Sequence, residues 1–153
     1  MEKERPDITL EKATIDDAEA YIALEKSLGE TKTYATITEK DEAIEEINKN
    51  NIFFIKNEGE VVGHIAYEMK ESGHAYISSL VITPKYQGRG LAKQALRQVL
   101  EKLKDIEKID LITHPENIKA LAIYKSFGFQ MGDRIENYFG DGEPRIKLAL
   151  IKK

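Results

Sequence analysis

Val81-Ile82-Thr83-Pro84-Lys85-Tyr86-Gln87-Gly88-Arg89-Gly90-Leu91-Ala92-Lys93 reads as the end of an apolar strand, a turn begun by Pro84, two closely spaced glycines and the start of a helix. That order puts backbone N–H groups, with no bulky side chains in the way, at the positive end of a helix, a place that suits phosphate or pyrophosphate. Arg89 and Lys93 add cations beside the amides. No Gly-Lys-Ser/Thr follows, so the loop is not of the Walker A kind, and the glycine spacing does not match a dinucleotide fingerprint. On residue physics alone the stretch is either a phosphate grip or a tight structural turn.

The segments on either side set the fold. Residues 75–82 carry apolar side chains on both alternating faces (Ala75, Ile77, Val81; Tyr76, Leu80, Ile82), which predicts a covered, central strand. From Gly90 to about residue 104, Leu91, Ala95, Leu96, Val99, Leu100 and Leu103 follow helical spacing. Upstream, Ile8-Thr9-Leu10 is a short strand, and Thr14 with Asp17 resembles a capping box opening a helix to about Ser27. Residues 31–38 are Thr-rich, include Tyr34, and read as a loop. Thr38 and Asp41 repeat the capping pattern before a helix whose inner face holds Ala43, Ile44 and Ile47 and whose acidic residues form a solvated face. Residues 52–55 and 61–69 are β-rich and joined by the hairpin turn Asn57-Glu58-Gly59-Glu60, with Gly63 marking a bulge or a close backbone approach. Downstream come a strand at 109–113, a helix at 117–126 stopped by Gly128, and strands at about 129–137 and 145–151. The order β-α-α-β-β-β-α-β-α-β-β predicts a single α/β domain over 1–153, with a mixed, mainly antiparallel sheet flanked by helices.

Composition narrows the function classes. Forty-one per cent apolar and 33% charged residues are globular values. No run approaches the roughly 18 apolar residues of a membrane span, and Met1-Glu2-Lys3-Glu4-Arg5 carries no apolar signal region, so no membrane association is expected. A net charge of −4 without a basic cluster gives no reason to bind nucleic acid. The absence of cysteine removes disulfides and thiolate chemistry and fits a cytoplasmic protein. An acidic surface either favours a cationic partner such as an amine or serves only to keep the protein soluble.

Asn117 and Tyr124 are seven residues apart, two turns on one helix face and roughly 10 Å along the axis. They either span a thin, extended ligand or serve as a capping Asn and a half-buried core Tyr.

Here two motifs carry a resemblance. Gln87-Gly88-Arg89-Gly90-Leu91-Ala92 resembles the Gln/Arg-x-x-Gly-x-Gly/Ala coenzyme A loop of the GNAT (GCN-five-related) N-acetyltransferases. Asn117-Ile118-Lys119-Ala120-Leu121-Ala122-Ile123-Tyr124-Lys125-Ser126-Phe127-Gly128-Phe129 is similar to that family's Asn-x-x-Ala-x-x-x-Tyr-x-x-x-Gly-Phe motif. The two sit at the family's usual separation, and the element order matches over nearly the whole chain. The one departure, Ala92 for the commoner Gly, is tolerated by the pattern.

The resemblance implies an acetyl-CoA-dependent N-acetyltransferase with no metal and no covalent enzyme intermediate. Amides of Gln87, Gly88, Arg89, Gly90, Leu91, Ala92 and Lys93 would hold the pyrophosphate. Backbone groups of Leu80 and Ile82, with Val81 between them, would pair with pantetheine like an added strand, and the amide of Leu80 or a neighbour would polarise the thioester carbonyl. Asn117 would hydrogen-bond pantetheine, and Tyr124 would protonate the leaving thiolate. N–H donors at the carbonyl and an acid at sulfur act where charge develops. For the general base, His64, Glu68, His74, His114 and Glu136 are candidates by type, and none is singled out. The alternative from another class is a catalytically silent acyl-CoA-binding module.

The acceptor is an amine, either a peptide N-terminus or a small molecule. Ile135-Glu136-Asn137-Tyr138-Phe139 is similar to the Asn-Tyr-Tyr segment with which the N-terminal protein acetyltransferases of this fold embrace a peptide, with Phe139 replacing the second Tyr. Against that branch, Ile112 stands where the ribosomal-protein alanine acetylases carry a Glu. Tyr34 and Tyr138 are the expected acceptor-pocket residues. Homodimers are common in such families, and no patch in the sequence demands one.

Overall fold

The structure, a computed structural model, describes residues 8–28, 39–71 and 73–152. In chain order it contains β1 (Ile8–Lys12), a 3₁₀ turn, α1 (Ala18–Leu28), α2 (Lys40–Lys49), β2 (Asn51–Asn57), β3 (Glu60–Met69) and β4 (His74–Ile82). A second 3₁₀ turn then leads to α3 (Leu91–Lys102), β5 (Lys108–Thr113), α4 (Ile118–Ser126), β6 (Gln130–Ile135) and β7 (Arg145–Ile151). The strands form one seven-stranded sheet in the order β1-β2-β3-β4-β5-β7-β6. Neighbours pair antiparallel except β4 and β5, which run parallel because α3 crosses over between them. This is the α/β architecture and element order that the hydrophobic periods predict.

Local chemistry accounts for most element ends. The Thr14 N–H donates to the Asp17 carboxylate at 2.9 Å, closing the capping box ahead of α1. Glu58 and Gly59 both have positive φ, 53° and 86°, the two-residue turn that matches the twist of a β-hairpin. The second expected cap differs: Thr38 lies outside the described residues, and the residue before α2 is Glu39, whose side chain makes no capping bond. Ala43 and Ile47 of α2 are buried as expected.

Two apolar layers clamp the sheet. One face packs Ile65, Ile77 and Ile82 against Leu91, Ala95, Leu96 and Val99 of α3, joined by Leu121 and Tyr124 of α4. The other packs Ile52, Phe54 and Ala66 against Tyr21 and Leu24 of α1 and Ala43 and Ile47 of α2. Each fully buried large aliphatic side chain contributes about 1.5–3 kcal/mol.

The central strand departs from strict alternation. Between β3 and β4 the register runs from Ala66↔Ser79 directly to Tyr67↔Ile77, so Ser78 is an extra residue on β4. The face assignment from simple alternation is therefore corrected. Ala75 and Ile77 share a face with Leu80 and Ile82, whereas Tyr76 shares one with Ser79 and Val81, because the extra residue reverses the parity. On β3 the register also shifts beside Gly63. A Cβ at Gly63 would lie 2.1 Å from the Val81 carbonyl oxygen, so this glycine marks a close backbone approach.

Gly63→Ala should therefore force β3 and β4 apart and destabilise the fold by about 3 kcal/mol, read as a lower denaturation midpoint in urea. An unchanged midpoint contradicts the close approach.

Candidate functional site

The ladder between β4 and β5 ends early. It runs from His74↔Lys108 to Ile77↔Leu111, after which β5 continues to Thr113 and β4 to Ile82 without pairing. The orientation of the freed peptide groups follows from their neighbours. Thr83 N–H donates to the Val62 carbonyl at 2.8 Å, and the Val81 carbonyl faces Gly63, so both point toward β3. Peptide groups alternate along a strand; Leu80 and Ile82 therefore turn their N–H and C=O toward the gap. The Gln87 side-chain amide reaches back to donate to the Ile82 carbonyl at 2.8 Å, fixing the following loop against the strand end.

That loop reaches α3 through Gly88 and Gly90, with φ of 84° and 79°, a region that only glycine enters without strain. Both Cα positions face open space. The Gln94 N–H donates to the Gly90 carbonyl at 3.2 Å, so the amides of residues 91–93 precede the first intrahelical donor and are available to a ligand. Arg89 stacks over the Tyr86 ring at 5.0 Å, and the Tyr86 hydroxyl donates to Glu60, which ties the loop to the β2–β3 turn.

β5 and α4 form the opposite wall. Asn117 precedes α4 and does not cap it; its Nδ2 donates to Thr113 Oγ1 at 3.3 Å. Two turns on, Tyr124 is 5% exposed and tilts against Phe129 at 5.8 Å. Burial, with a smaller contribution from Tyr76, pushes the Tyr124 phenol well above its ordinary pKa, so it carries its proton throughout the working range and cannot act as a base. Tyr76 is itself pushed up to about 12, first by burial and then by Tyr138, Asp110, Glu68 and Glu46.

Loop, strand end and helix enclose a cleft of about 840 Å³, within the range of small-molecule sites. Its far end changes character. Glu42 and Glu46 of α2, Glu68 of β3 and Asn50 line it, on the α1–α2 side of the sheet. Asn50 is 6% exposed, its Nδ2 donates to Glu46 Oε1 at 2.5 Å, and its Oδ1 is a buried acceptor without a hydrogen-bond partner among the described residues. Phe139 of the β6–β7 loop and Arg145, the first residue of β7, also line the cleft, with Arg145 over the Phe139 ring at 5.1 Å and paired to Asp141 at 3.0 Å. The Glu143 amide and Arg145 hold the Asp141 carboxyl below the usual carboxylate range. His114, buried at the end of β5, accepts from the Glu116 N–H at Nδ1 and meets Glu143 through Nε2 at 2.8 Å, which draws the same loop inward.

Most residues singled out in the sequence converge on this cleft. Leu80, Val81, Ile82, Gln87, Gly88, Gly90, Leu91, Ala92, Lys93, Asn117 and Tyr124 line it, as does Ile112. Arg89 points to Tyr86 and not into the cleft. Tyr138 is 41% exposed and stacks edge-on against Phe139, which lines the cleft in its stead, while staying near enough to Tyr76 to influence its ionisation. Tyr34 and the loop 31–38 lie outside the described residues. Of the candidate bases, Glu68 and His114 line the cleft, His74 pairs with Asp110 at 2.9 Å, and Glu136 pairs with Arg134 at 2.7 Å on the surface. Sequence reasoning missed Ser79, Asn50, Glu42 and Glu46 as cleft residues. Its reading of the α2 acidic residues as a solvated face is corrected for Glu46, which is half-buried and bonded to Asn50, whereas Glu42 lines the cleft but stays exposed. The available signal was the Ser78-Ser79 pair interrupting an otherwise apolar strand.

Comparison with known proteins agrees with this geometry. Residues 18–129 match the acetyltransferase (GNAT) family. The spermidine N(1)-acetyltransferase of Escherichia coli K12 is 31% identical over 105 residues, which are 64% of this chain and 55% of that protein. The chain thus spans about half the length of the curated relatives it matches. The ribosomal-protein-S18-alanine N-acetyltransferase of Escherichia coli shares the fold with a TM-score of 0.78 at 22% identity, over 95% of each chain. A GNAT family acetyltransferase from Elizabethkingia anophelis, solved with acetyl-CoA bound, superimposes with a TM-score of 0.74 at 17% identity, over 96% of this chain and 99% of that one. Among the described residues no helix is long and apolar enough to cross a membrane.

The raised phenol of Tyr124 has a direct readout. With a folded-state pKa above the unfolded 10.0, this group leaves stability independent of pH below about pH 10 and lowers it above, as only the unfolded chain ionises there. In an ultraviolet tyrosinate titration at pH 11, Tyr124→Phe should remove no signal from the folded protein. Loss of one tyrosinate equivalent contradicts the burial argument.

Proposed function

We propose that this chain, which belongs to the acetyltransferase (GNAT) family, transfers an acetyl group from acetyl-CoA to a primary amine by direct attack within a ternary complex. The observation that carries the reading is the parting of β4 from β5 after Ile77 and Leu111, beside a glycine loop and the open N-terminus of α3. The amides of residues 91–93, with Lys93 near them, hold the pyrophosphate. Leu80 and the Ile82 N–H pair with pantetheine as a missing strand would, and Asn117 hydrogen-bonds it from the other wall. The Leu80 amide supplies a fixed donor to the thioester oxygen as negative charge develops. Tyr124 donates to sulfur. Because its pKa lies above that of a thiol near 8.5, its main contribution is a hydrogen bond to developing charge, with the proton following as the thiolate departs.

The far end of the cleft supports an acceptor with a second positive charge. Glu42, Glu46 and Glu68 favour cations there, and Asn50 Oδ1 offers an ammonium a buried acceptor. Ile112, which supplies no charge, gives a peptide α-ammonium less to hold. Small di- and polyamines fit this chemistry best, with peptide N-termini second.

Release of free thiol from acetyl-CoA, followed with a polyamine, an amino sugar and a short peptide, tests the proposal. Turnover above background is expected, with kcat/KM for the polyamine at least about tenfold above the neutral-bodied amino sugar. Tyr124→Phe should lower kcat about 10–100-fold while the KM for acetyl-CoA stays within about twofold. Tight acetyl-CoA binding without thiol release from any acceptor contradicts the enzymatic reading.

A further inference from the structure

Beneath the acceptor side of the cleft lies a chain of three polar groups that the roles above do not use. His64 of β3 and Glu25 of α1 are both 0% exposed, with His64 Nε2 2.6 Å from Glu25 Oε2. The other ring nitrogen, Nδ1, lies 3.1 Å from the Ser79 hydroxyl. Ser79 is half-buried, lines the cleft, follows the extra residue Ser78, and precedes Leu80, whose backbone faces the coenzyme gap. Three elements thus contribute one residue each to a line running from the cleft wall into the interior.

We propose that Ser79, His64 and Glu25 form a proton relay that takes the proton of the incoming ammonium and so makes the acceptor nucleophilic. This rests on the acetyl-transfer reading above.

The hydrogen-bond inventory sets the direction. A carboxylate only accepts, so with Nε2–H donating to Glu25 the imidazole presents the Nδ1 lone pair to Ser79. The Ser79 O–H then donates inward, and its oxygen lone pairs remain for a donor arriving from the cleft. Of the other candidate bases, His114 spends Nδ1 on the Glu116 N–H, His74 and Glu136 stand outside the cleft lining, and Glu68, which lines the cleft, pairs with Lys70 at 3.4 Å and has, among the described residues, no link to the β4 edge comparable to that of Ser79. A purely packing role is a weak reason for the arrangement, since replacing a buried ion-forming pair by apolar residues is often neutral or stabilising. The groups facing His64 are Glu25 and the edge of Tyr21, 5.2 Å away, from α1, with Ser79 and Val81 from β4 and Phe54 from β2; Glu42 and Glu46 of α2 lie near enough to act on Tyr21.

The step balances as follows. One N–H bond of the ammonium breaks and its proton passes to Ser79 Oγ, while the Ser79 hydroxyl proton passes to His64 Nδ1. The freed nitrogen lone pair forms the C–N bond to the acetyl carbon. Collapse of the tetrahedral intermediate breaks the C–S bond, with the electron pair leaving on sulfur. Tyr124 gives its phenol proton to sulfur, the tyrosinate so formed takes the second N–H proton of the intermediate and becomes a phenol again, and His64 returns its proton to solvent through Ser79 after product departs. A lysine-like amine of pKa about 10.4 is neutral less than roughly a thousandth of the time at pH 7, so a relay matters most for the acceptor class proposed above.

The test compares wild type, Ser79→Ala and Ser79→Thr with a polyamine acceptor. Ser79→Ala removes one half-buried hydroxyl and should fold, checked by its melting temperature. Its kcat should fall about 10–100-fold at pH 7 with the KM for acetyl-CoA within about twofold, and Ser79→Thr should restore most of the rate. The profile of kcat/KM for the amine should level off in the wild type below the amine's own pKa, but in Ser79→Ala climb about tenfold per pH unit up to it, since only amine already neutral reacts. Wild-type turnover with a Ser79→Ala rate within twofold and an unaltered profile overturns the relay alone. A wild-type chain that binds acetyl-CoA but turns over none of the acceptors overturns the relay together with the transfer reading.

Discussion

Ser78 is one residue more than the ladder between β3 and β4 accommodates, and the cleft depends on that surplus. An extra residue bends its strand and adds local twist. On β4 this happens one residue after Ile77, the last position paired with β5. From there β4 stays with β3 and leaves β5, which follows α4 and β7 instead. Unpaired peptide groups away from water cost about 1–3 kcal/mol each. The protein covers one of them, the Ile82 carbonyl, with Gln87, and leaves Leu80 and the Ile82 N–H for a partner. A rigid sheet on both sides, packed by two separate apolar layers, holds this opening in place.

Much of the architecture was legible because it rests on periodicity. The helical spacing of Leu91, Ala95, Leu96 and Val99 and the stop at Gly128 correspond to α3 and the end of α4 within a residue or two. Gly63 was readable as a close approach because a glycine inside a β-rich run has few other uses. The Ser78 surplus was not, since alternation read by eye assumes an unbroken pleat and one extra residue swaps every later face. The acidic end was obscured for a different reason. Glu46 looks like part of any solvated helix face until the fold brings Glu68 of β3 to the same cleft and Asn50 against it. Pairings between distant segments, such as Glu25 with His64, leave no local pattern at all.

The two ends of the cleft differ in electrostatics as their proposed ligands do. At the loop, helix amides and Lys93 present positive potential to a pyrophosphate. At the far end, carboxylates and a buried amide oxygen present negative potential to an amine. The same cleft is lined by the freed β4 edge and by the protonated Tyr124. The β6–β7 loop is held against the sheet by His114–Glu143 and Arg145–Asp141 and supplies Phe139 to the cleft. Changes in that loop should therefore alter acceptor choice more than coenzyme affinity.

Residue-resolved hydrogen exchange with and without acetyl-CoA addresses the central claim, that the opened edge of β4 and the start of α3 receive the coenzyme. The account predicts slower exchange at Leu80, Ile82 and the amides of residues 91–93, with Val81, turned toward β3, unchanged. Saturating binding that leaves Leu80 and Ile82 exchanging as in the free protein would contradict it.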